Sequence, residues 1–160
     1  MDSAQCDKAI EQNFIFADKI YNTGLLIEKY EEASQISDLM TIEKKRYVLL
    51  KNELWLNSIL LKKKCNNPFH TLVYVYAQTK TSSKDAEQAA ISDVLKQIKQ
   101  EKCNKIILIP LAGDMGLDSV TMQLNIYNIT YLPSIIINEK YVLQGYNKKE
   151  QIESYLNKPI

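Results

Sequence analysis

The chain has little of what many binding and catalytic chemistries depend on. Its 160 residues include one arginine, Arg46, and one histidine, His70, with three cysteines, one tryptophan, four glycines and four prolines. A single guanidinium leaves almost nothing for bidentate phosphate recognition, and a net charge of +1 supplies no basic field in its place. No nucleic-acid partner is expected. One histidine and no closely spaced cysteines are too few ligands for zinc, so no metal or other cofactor is expected either. The longest apolar run, Ile106 to Ala112, is interrupted by Pro110 and falls far short of the roughly 18 residues that cross a bilayer. The opening Met1-Asp2-Ser3-Ala4 has neither a basic stretch nor an apolar one, so no secretory leader is visible. A chain whose leader or membrane tether had been removed would read the same.

What is present is ordinary globular composition, 46% apolar and 24% charged, long enough to bury one core. Residues 5–64 contain no proline and only Gly24, and their apolar residues recur at helical intervals. The first helix is expected from about Gln5 to Glu32, with a stripe through Ile10, Phe14, Ala17, Tyr21, Leu25 and Glu28. Gly24 costs it roughly 1 kcal/mol relative to alanine. The second is expected from about Asp38 to Lys64, with Tyr47, Leu50, Leu54, Trp55 and Leu61 inward. Between them Ala33 to Asp38 is small and polar, and Ser37 or Asp38 can cap the next helix. Two such helices make an antiparallel hairpin. Lys62-Lys63-Lys64 complements the dipole at its end and is expected to be solvated.

From Asn66 the rhythm changes. Thr71 to Tyr76 and Lys105 to Ile109 read as buried strands separated by a helix over Asp85 to Lys102, a strand-helix-strand unit whose strands are parallel. A helix near Ser119 to Tyr127 follows, then a hairpin of Ser134 to Asn138 and Tyr141 to Gln144, and a last helix over Lys148 to Leu156. Tyr74 and Tyr76 alternate at strand spacing and are expected to pack under helices, while His70 is expected at a strand edge or the surface. The sequon Asn128-Ile129-Thr130 is compatible with glycosylation outside the cell but carries little weight in an asparagine-rich chain.

This order, with Tyr127-Asn128-Ile129-Thr130-Tyr131-Leu132-Pro133-Ser134-Ile135-Ile136-Ile137-Asn138 and then Gly145, resembles the thioredoxin fold and its cis-proline region over about residues 70–157. The preceding hairpin resembles the N-terminal extension of some archaeal, membrane-anchored thioredoxin-like proteins. The expected fold class is therefore α/β, a thioredoxin-like mixed sheet flanked by helices and preceded by an antiparallel α-helical hairpin. The expected division is a hairpin over 1–66 and a thioredoxin-like domain over 67–160. The resemblance implies a cis Leu132-Pro133 bond. It also implies two cysteines, two residues apart, at the start of the first helix of the unit, where the helix dipole activates a thiol. The corresponding stretch, Gln78-Thr79-Lys80-Thr81-Ser82-Ser83-Lys84-Asp85-Ala86-Glu87-Gln88, has none. Ser82 and Asp85 stand in the two thiol places and cannot exchange a disulfide. As a serine nucleophile Ser82 lacks a base, since His70 lies at the other end of the strand. Ser82 with Asp85 reads instead as a capping box, with Glu87 adding favourable charge.

Three cysteines, Cys6, Cys65 and Cys103, cannot all pair within one chain. In an antiparallel hairpin, facing positions share a midpoint, and the midpoint of 6 and 65 falls in the loop between Ala33 and Asp38. This favours a Cys6–Cys65 disulfide with Cys103 free. The rival is Cys65–Cys103, since both precede neighbouring parallel strands, and a fully reduced chain is the third possibility. A structural disulfide implies an oxidising, extracytoplasmic compartment, the cytoplasm being the alternative.

Three functions compete. A redox-inactive module could bind an extended peptide or protein partner beside Ser83, Lys84, Leu132 and Pro133, in a chaperone-like or assembly role that needs only main-chain groups and apolar walls. An oxidoreductase relative could use Cys103 alone. A structural protein could use its helical hairpin as the interaction surface.

Overall fold

The computed structural model describes residues 1–33, 38–79 and 81–160. The expected interhelical loop at 34–37, including a cap by Ser37, and Lys80 lie outside the described residues. Two long helices come first, α1 (Ser3–Ala33) and α2 (Asp38–Lys64). Asp2 and Gln5 cap α1 reciprocally: Asp2 Oδ1 accepts from Gln5 N at 2.8 Å and Gln5 Oε1 from Asp2 N at 3.1 Å.

The helices meet in one register along the hairpin. Cys6 and Cys65 form the disulfide, with Cα atoms 5.6 Å apart, and Cys103 is free. Further along, Asn13 Nδ2 donates to Ser58 Oγ at 2.9 Å in the buried seam, and Tyr47 lies over Gly24. The position numbers in each of these pairs add to the same value, so the register inferred from the cysteines runs through the hairpin. A buried polar pair such as Asn13–Ser58 opposes slippage, because a shifted register would strand both groups in an apolar seam.

The α1 seam differs from the expected stripe beyond Ala17. Ile20 and Gly24 are buried and Ile27 is half-buried, whereas Tyr21 is 66% exposed and Leu25 41%. The contact follows steps of three and four residues from Cys6 through Ile10, Asn13, Ala17, Ile20 and Gly24 to Ile27, the period of 3.5 that keeps a helix seam facing its partner. The expected stripe drifted off that line to the large residues outside it.

The second part is a four-stranded sheet in the order β2-β1-β3-β4, built from β1 (His70–Tyr76), β2 (Ile106–Ala112), β3 (Ser134–Ile137) and β4 (Tyr141–Gln144). β1 and β2 are parallel, and β1–β3 and β3–β4 are antiparallel. Pro110 sits within β2, tolerated because β2 is an edge strand and a missing N–H costs no ladder bond on the open side. Helix α3 (Ser82–Lys102) crosses between β1 and β2, α4 (Asp118–Ile126) follows β2, and α5 (Lys149–Leu156) ends the fold. Alternation along the strands divides the core. Val73, Val75, Ile107, Ile109 and Ile136 face the helical hairpin and α4, while Leu72, Tyr74, Ile106, Ile135 and Ile137 face α3 and α5. This is the thioredoxin-like mixed sheet flanked by helices and preceded by a helical hairpin.

Two expectations about local chemistry are corrected. Helix α3 begins at Ser82 with Thr81 as its N-cap residue and without a side-chain cap, and the Asp85 N–H is taken by Thr81 O at 2.9 Å. The Ser82–Asp85 capping box therefore does not form, because the helix starts one residue earlier than that box requires. Lys62 is not solvated like Lys63 and Lys64. It is 4% exposed and ion-paired with Glu139 at 2.8 Å, while also donating to Thr71 Oγ1 and Asn138 Oδ1.

Glu139 is the hub of this buried cluster, accepting also from Trp55 Nε1 at 2.9 Å and Thr71 Oγ1 at 2.6 Å. Asn138 and Glu139 both have positive φ, 53° and 57°, in the β3–β4 turn. That turn points the Glu139 carboxylate back under α2, where it ties the helical hairpin to the sheet. Burial lowers the Lys62 pKa, against the charge and hydrogen bond of Glu139. Burial and the Lys62 charge also lower that of His70, whose ring meets Asn138 Nδ2 at 2.9 Å. Glu139→Gln preserves the shape but strands the Lys62 charge. It is expected to cost about 2 kcal/mol in urea unfolding at neutral pH, below the roughly 3–5 kcal/mol of a fully enclosed broken pair because the carboxylate remains partly wet. A loss below about 0.5 kcal/mol would show that the cluster holds nothing together.

Candidate functional site

The candidate site is the corner where the C-terminal ends of β1 and β2 meet the start of β3. Leu132-Pro133 is a cis peptide bond, with Pro133 buried and Leu132 half-buried. Pro133 O accepts from Gly145 N at 2.9 Å, and Ser134 Oγ donates to Tyr131 O at 2.6 Å, so the loop is fixed on both sides. The Leu132 main chain forms no hydrogen bond with the described residues.

Glu87, in the second turn of α3, joins three segments. Its carboxylate accepts from Tyr146 N at 3.0 Å and Tyr131 Oη at 3.3 Å. Gly145 has φ +64°, which strains any residue with a side chain, and a Cβ there would come within 2.7 Å of Glu87 Oε1 and displace that carboxylate. The β1–α3 loop is held by two more side chains. Gln88 accepts from Ala77 N at 2.7 Å and donates to Ala77 O at 3.1 Å, extending the ladder beyond β1. Asp114 accepts from Gln78 N at 2.7 Å and Thr79 N at 3.0 Å. Burial would raise the Asp114 carboxyl, but these main-chain donors outweigh it and hold its pKa below the ordinary value.

Of the residues singled out from the sequence, Ser82, Ser83, Lys84 and Asp85 occupy the first turn of α3, all exposed except the half-buried Lys84. Leu132 and Pro133 lie in the facing loop, and Glu87 links the two segments through Tyr131. The cysteines are elsewhere. Cys65 precedes β1 and Cys103 precedes β2, so both lie toward the strand beginnings, one strand length or about 20 Å from the corner. Cys103 is exposed in the 3-10 turn after α3, its Sγ meeting Gln100 O at 3.2 Å. Glu87, Gln88 and Asp114 were not foreseen as organising groups, because their partners lie 11 to 59 positions away in sequence. Among the described residues no cluster of His, Cys, Asp or Glu is arranged to hold a metal, and no helix is long and apolar enough to cross a membrane.

The sequence matches no protein-family profile and no curated protein. Solved structures that share part of its shape include two thioredoxins. Chloroplastic thioredoxin z is 16% identical with a TM-score of 0.44, over 61% of this chain and 83% of that one. The germline-specific thioredoxin Deadhead of Drosophila melanogaster is 10% identical with a TM-score of 0.42, over 66% and 94%. Likeness at this level carries no argument about activity. The thioredoxin-like fold is assigned from the chain's own topology: the strand order, the parallel first pair with its crossover helix, and the antiparallel hairpin that follows.

Proposed function

We propose that the protein is a redox-inactive thioredoxin-fold module that holds an extended peptide or protein segment at Leu132-Pro133, in a chaperone-like or assembly role. The reading rests on the Leu132 main chain, which has no partner among the described residues and sits in the loop that Tyr131 ties to Glu87 of α3, the helix whose first-turn residues Ser82 and Asp85 are read as standing in the places of the two thiols. An extended segment would pair with that main chain while its side chains rest on Leu132 and the α3 turn, a contact that needs no sulfur chemistry. Cys103 has no second thiol nearby, so attack on a substrate disulfide would stop at a mixed disulfide. The Cys6–Cys65 bond supports placement in an oxidising, extracytoplasmic compartment.

Two measurements test this. In an insulin-reduction assay the protein is expected to be silent and a Ser82→Cys, Asp85→Cys double variant to gain measurable turnover, since the helix N-terminus that activates a thiol is present. Turnover by the unmodified protein that survives Cys103→Ser would overturn the redox-inactive reading. In an NMR titration with S-carboxymethylated ribonuclease as an extended-chain probe, amide shifts are expected to concentrate at 131–134 and 145–146.

A second reading makes the helical hairpin the interaction surface. It is favoured by Leu39, Ile42, Leu49, Leu56 and Leu60, all exposed along α2 at spacings of three, four and seven residues. Shifts confined to α2 in the same titration, or self-association abolished by Leu49→Glu with Leu56→Glu, would decide for it.

A further inference from the structure

A cavity of about 480 Å³, within the range of small-molecule sites, opens between α1, α2, α3 and β1 beside the free edge of β2. Its walls include Tyr21, Ile27, Tyr47, Tyr76, Pro110 and Met115. Lys51 reaches into it from α2 and is 5% exposed. Its ammonium makes no hydrogen bond or ion pair with the described residues. It lies 4.1 Å from the Tyr47 ring centroid and 5.8 Å from that of Tyr76, aromatic faces that compensate only part of the lost hydration.

The contrast with Lys62 on the same helix is informative. Both lysines are buried to a similar degree, but Lys62 has a carboxylate and two further acceptors supplied by the fold. At Lys51 the fold supplies a space instead. Gly24 helps to shape it, since a Cβ there would meet the Tyr47 hydroxyl and, at 2.8 Å, its Cζ, displacing the ring beneath the ammonium.

We propose that this cavity binds a small organic monocarboxylate, its aromatic or aliphatic body against the tyrosine-lined wall and its carboxylate paired with Lys51. The charged groups around the cavity favour this class. Glu31 of α1 is ion-paired with Lys44 of α2, which leaves Lys51, Lys96 of α3 and the exposed Glu28 at the rim. The phenols of Tyr47 and Tyr76 are pushed up to about 12, mainly by burial, and Tyr74 is raised further still, so all three remain neutral hydroxyls near pH 7. A cation would meet repulsion. A phosphate would want several converging donors where one buried amine stands, and a carboxylate matches that single charge.

Burial lowers Lys51 to about 7, with Glu28 opposing the shift but not cancelling it. A bound carboxylate must therefore draw a proton onto the lysine above that pH. Affinity should fall by about tenfold per pH unit on the alkaline side.

The test uses phenylacetate and hexanoate beside their neutral amides, followed by NMR and calorimetry on the intact chain. At about pH 6 the acids are expected to bind at least tenfold tighter than the amides and to shift Gly24, Tyr47, Lys51 and Tyr76. At about pH 8 calorimetry in buffers of different ionisation enthalpy should show proton uptake on binding, a readout that needs no variant. Lys51→Met should abolish the preference for acid over amide, while Glu28→Gln should tighten acid binding severalfold. Equal binding of acid and amide, a preference that survives Lys51→Met, binding without proton uptake, or no binding of either acid at millimolar concentration would overturn the proposal.

Discussion

Reduction of the Cys6–Cys65 bond is expected to lower the unfolding free energy by about 4 kcal/mol, the loop-closure value for a cross-link spanning 59 positions. The loop contains nearly the whole helical hairpin, so the reduced unfolded chain gains the freedom of α1 relative to α2. In the native state the two cysteines remain neighbours, because Asn13–Ser58 and Gly24–Tyr47 continue the same register without sulfur. The loss should therefore appear as a lower denaturant midpoint with native secondary structure intact, and Cys6→Ser should behave like the reduced protein. Non-reducing peptide mapping should link Cys6 to Cys65 and leave Cys103 alkylatable. A reduced protein that unfolds at the oxidised midpoint would mean that the unfolded chain already keeps the hairpin closed.

The disulfide also shows what the sequence made legible. A hairpin has one constant, the midpoint of facing positions, and two cysteines near its open end expose that constant before any contact is known. The strands were readable because Thr71 to Tyr76 and Lys105 to Ile109 are rich in β-branched and aromatic residues, as buried strands must be, although β2 runs on past Ile109 through Pro110 to Ala112. Helix bounds held to within a residue or two except at α3, which begins three residues before Asp85. The inner face of α1 was misread beyond Ala17 because the seam passes through Gly24, which counts as nothing in an apolar pattern but accommodates Tyr47. Buried lysines were illegible by residue type. Lys51 and Lys62 fall in phase with Val48, Trp55 and Ser58 on the inner face of α2, and that phase was the available signal. The corner around Leu132-Pro133 was placed by resemblance, but Glu87 and Asp114, which secure it, act between loops far apart in sequence. No local pattern encodes that meeting.

Lys51→Met is expected to stabilise the protein at neutral pH by about 3 kcal/mol and to flatten its pH dependence. Burial takes the Lys51 pKa from 10.5 to about 7, so between those values the unfolded chain binds a proton that the folded chain does not. Stability contributed by this group must then rise with pH, by up to about 1.4 kcal/mol per unit between about pH 7 and pH 10. The full span is roughly 4 to 5 kcal/mol. Methionine has similar length and no charge to desolvate, and the lost contact with the Tyr47 ring returns about 1 kcal/mol of that gain. Above about pH 10 the sign reverses in both proteins. Tyr47 and Tyr76, raised to about 12, hold their protons in the fold after the unfolded tyrosines have lost theirs. Urea titrations should thus find the parent most stable near pH 10 and the variant rising less steeply from pH 7 to pH 10, its remaining slope coming from Lys62 and Lys99, whose pKa values burial also lowers. An unchanged slope in Lys51→Met would place the titration on another group, and a lower midpoint at neutral pH would mean that the ammonium is held by more than aromatic faces. A ligand that supplies the missing anion should raise the parent's midpoint at neutral pH and raise that of Lys51→Met no further than its neutral amide does, since only a group that binds the native state contributes by mass action. The same lysine would then be a liability in the empty protein and the anchor in the liganded one, the trade expected where a fold keeps a buried charge unpaired for use.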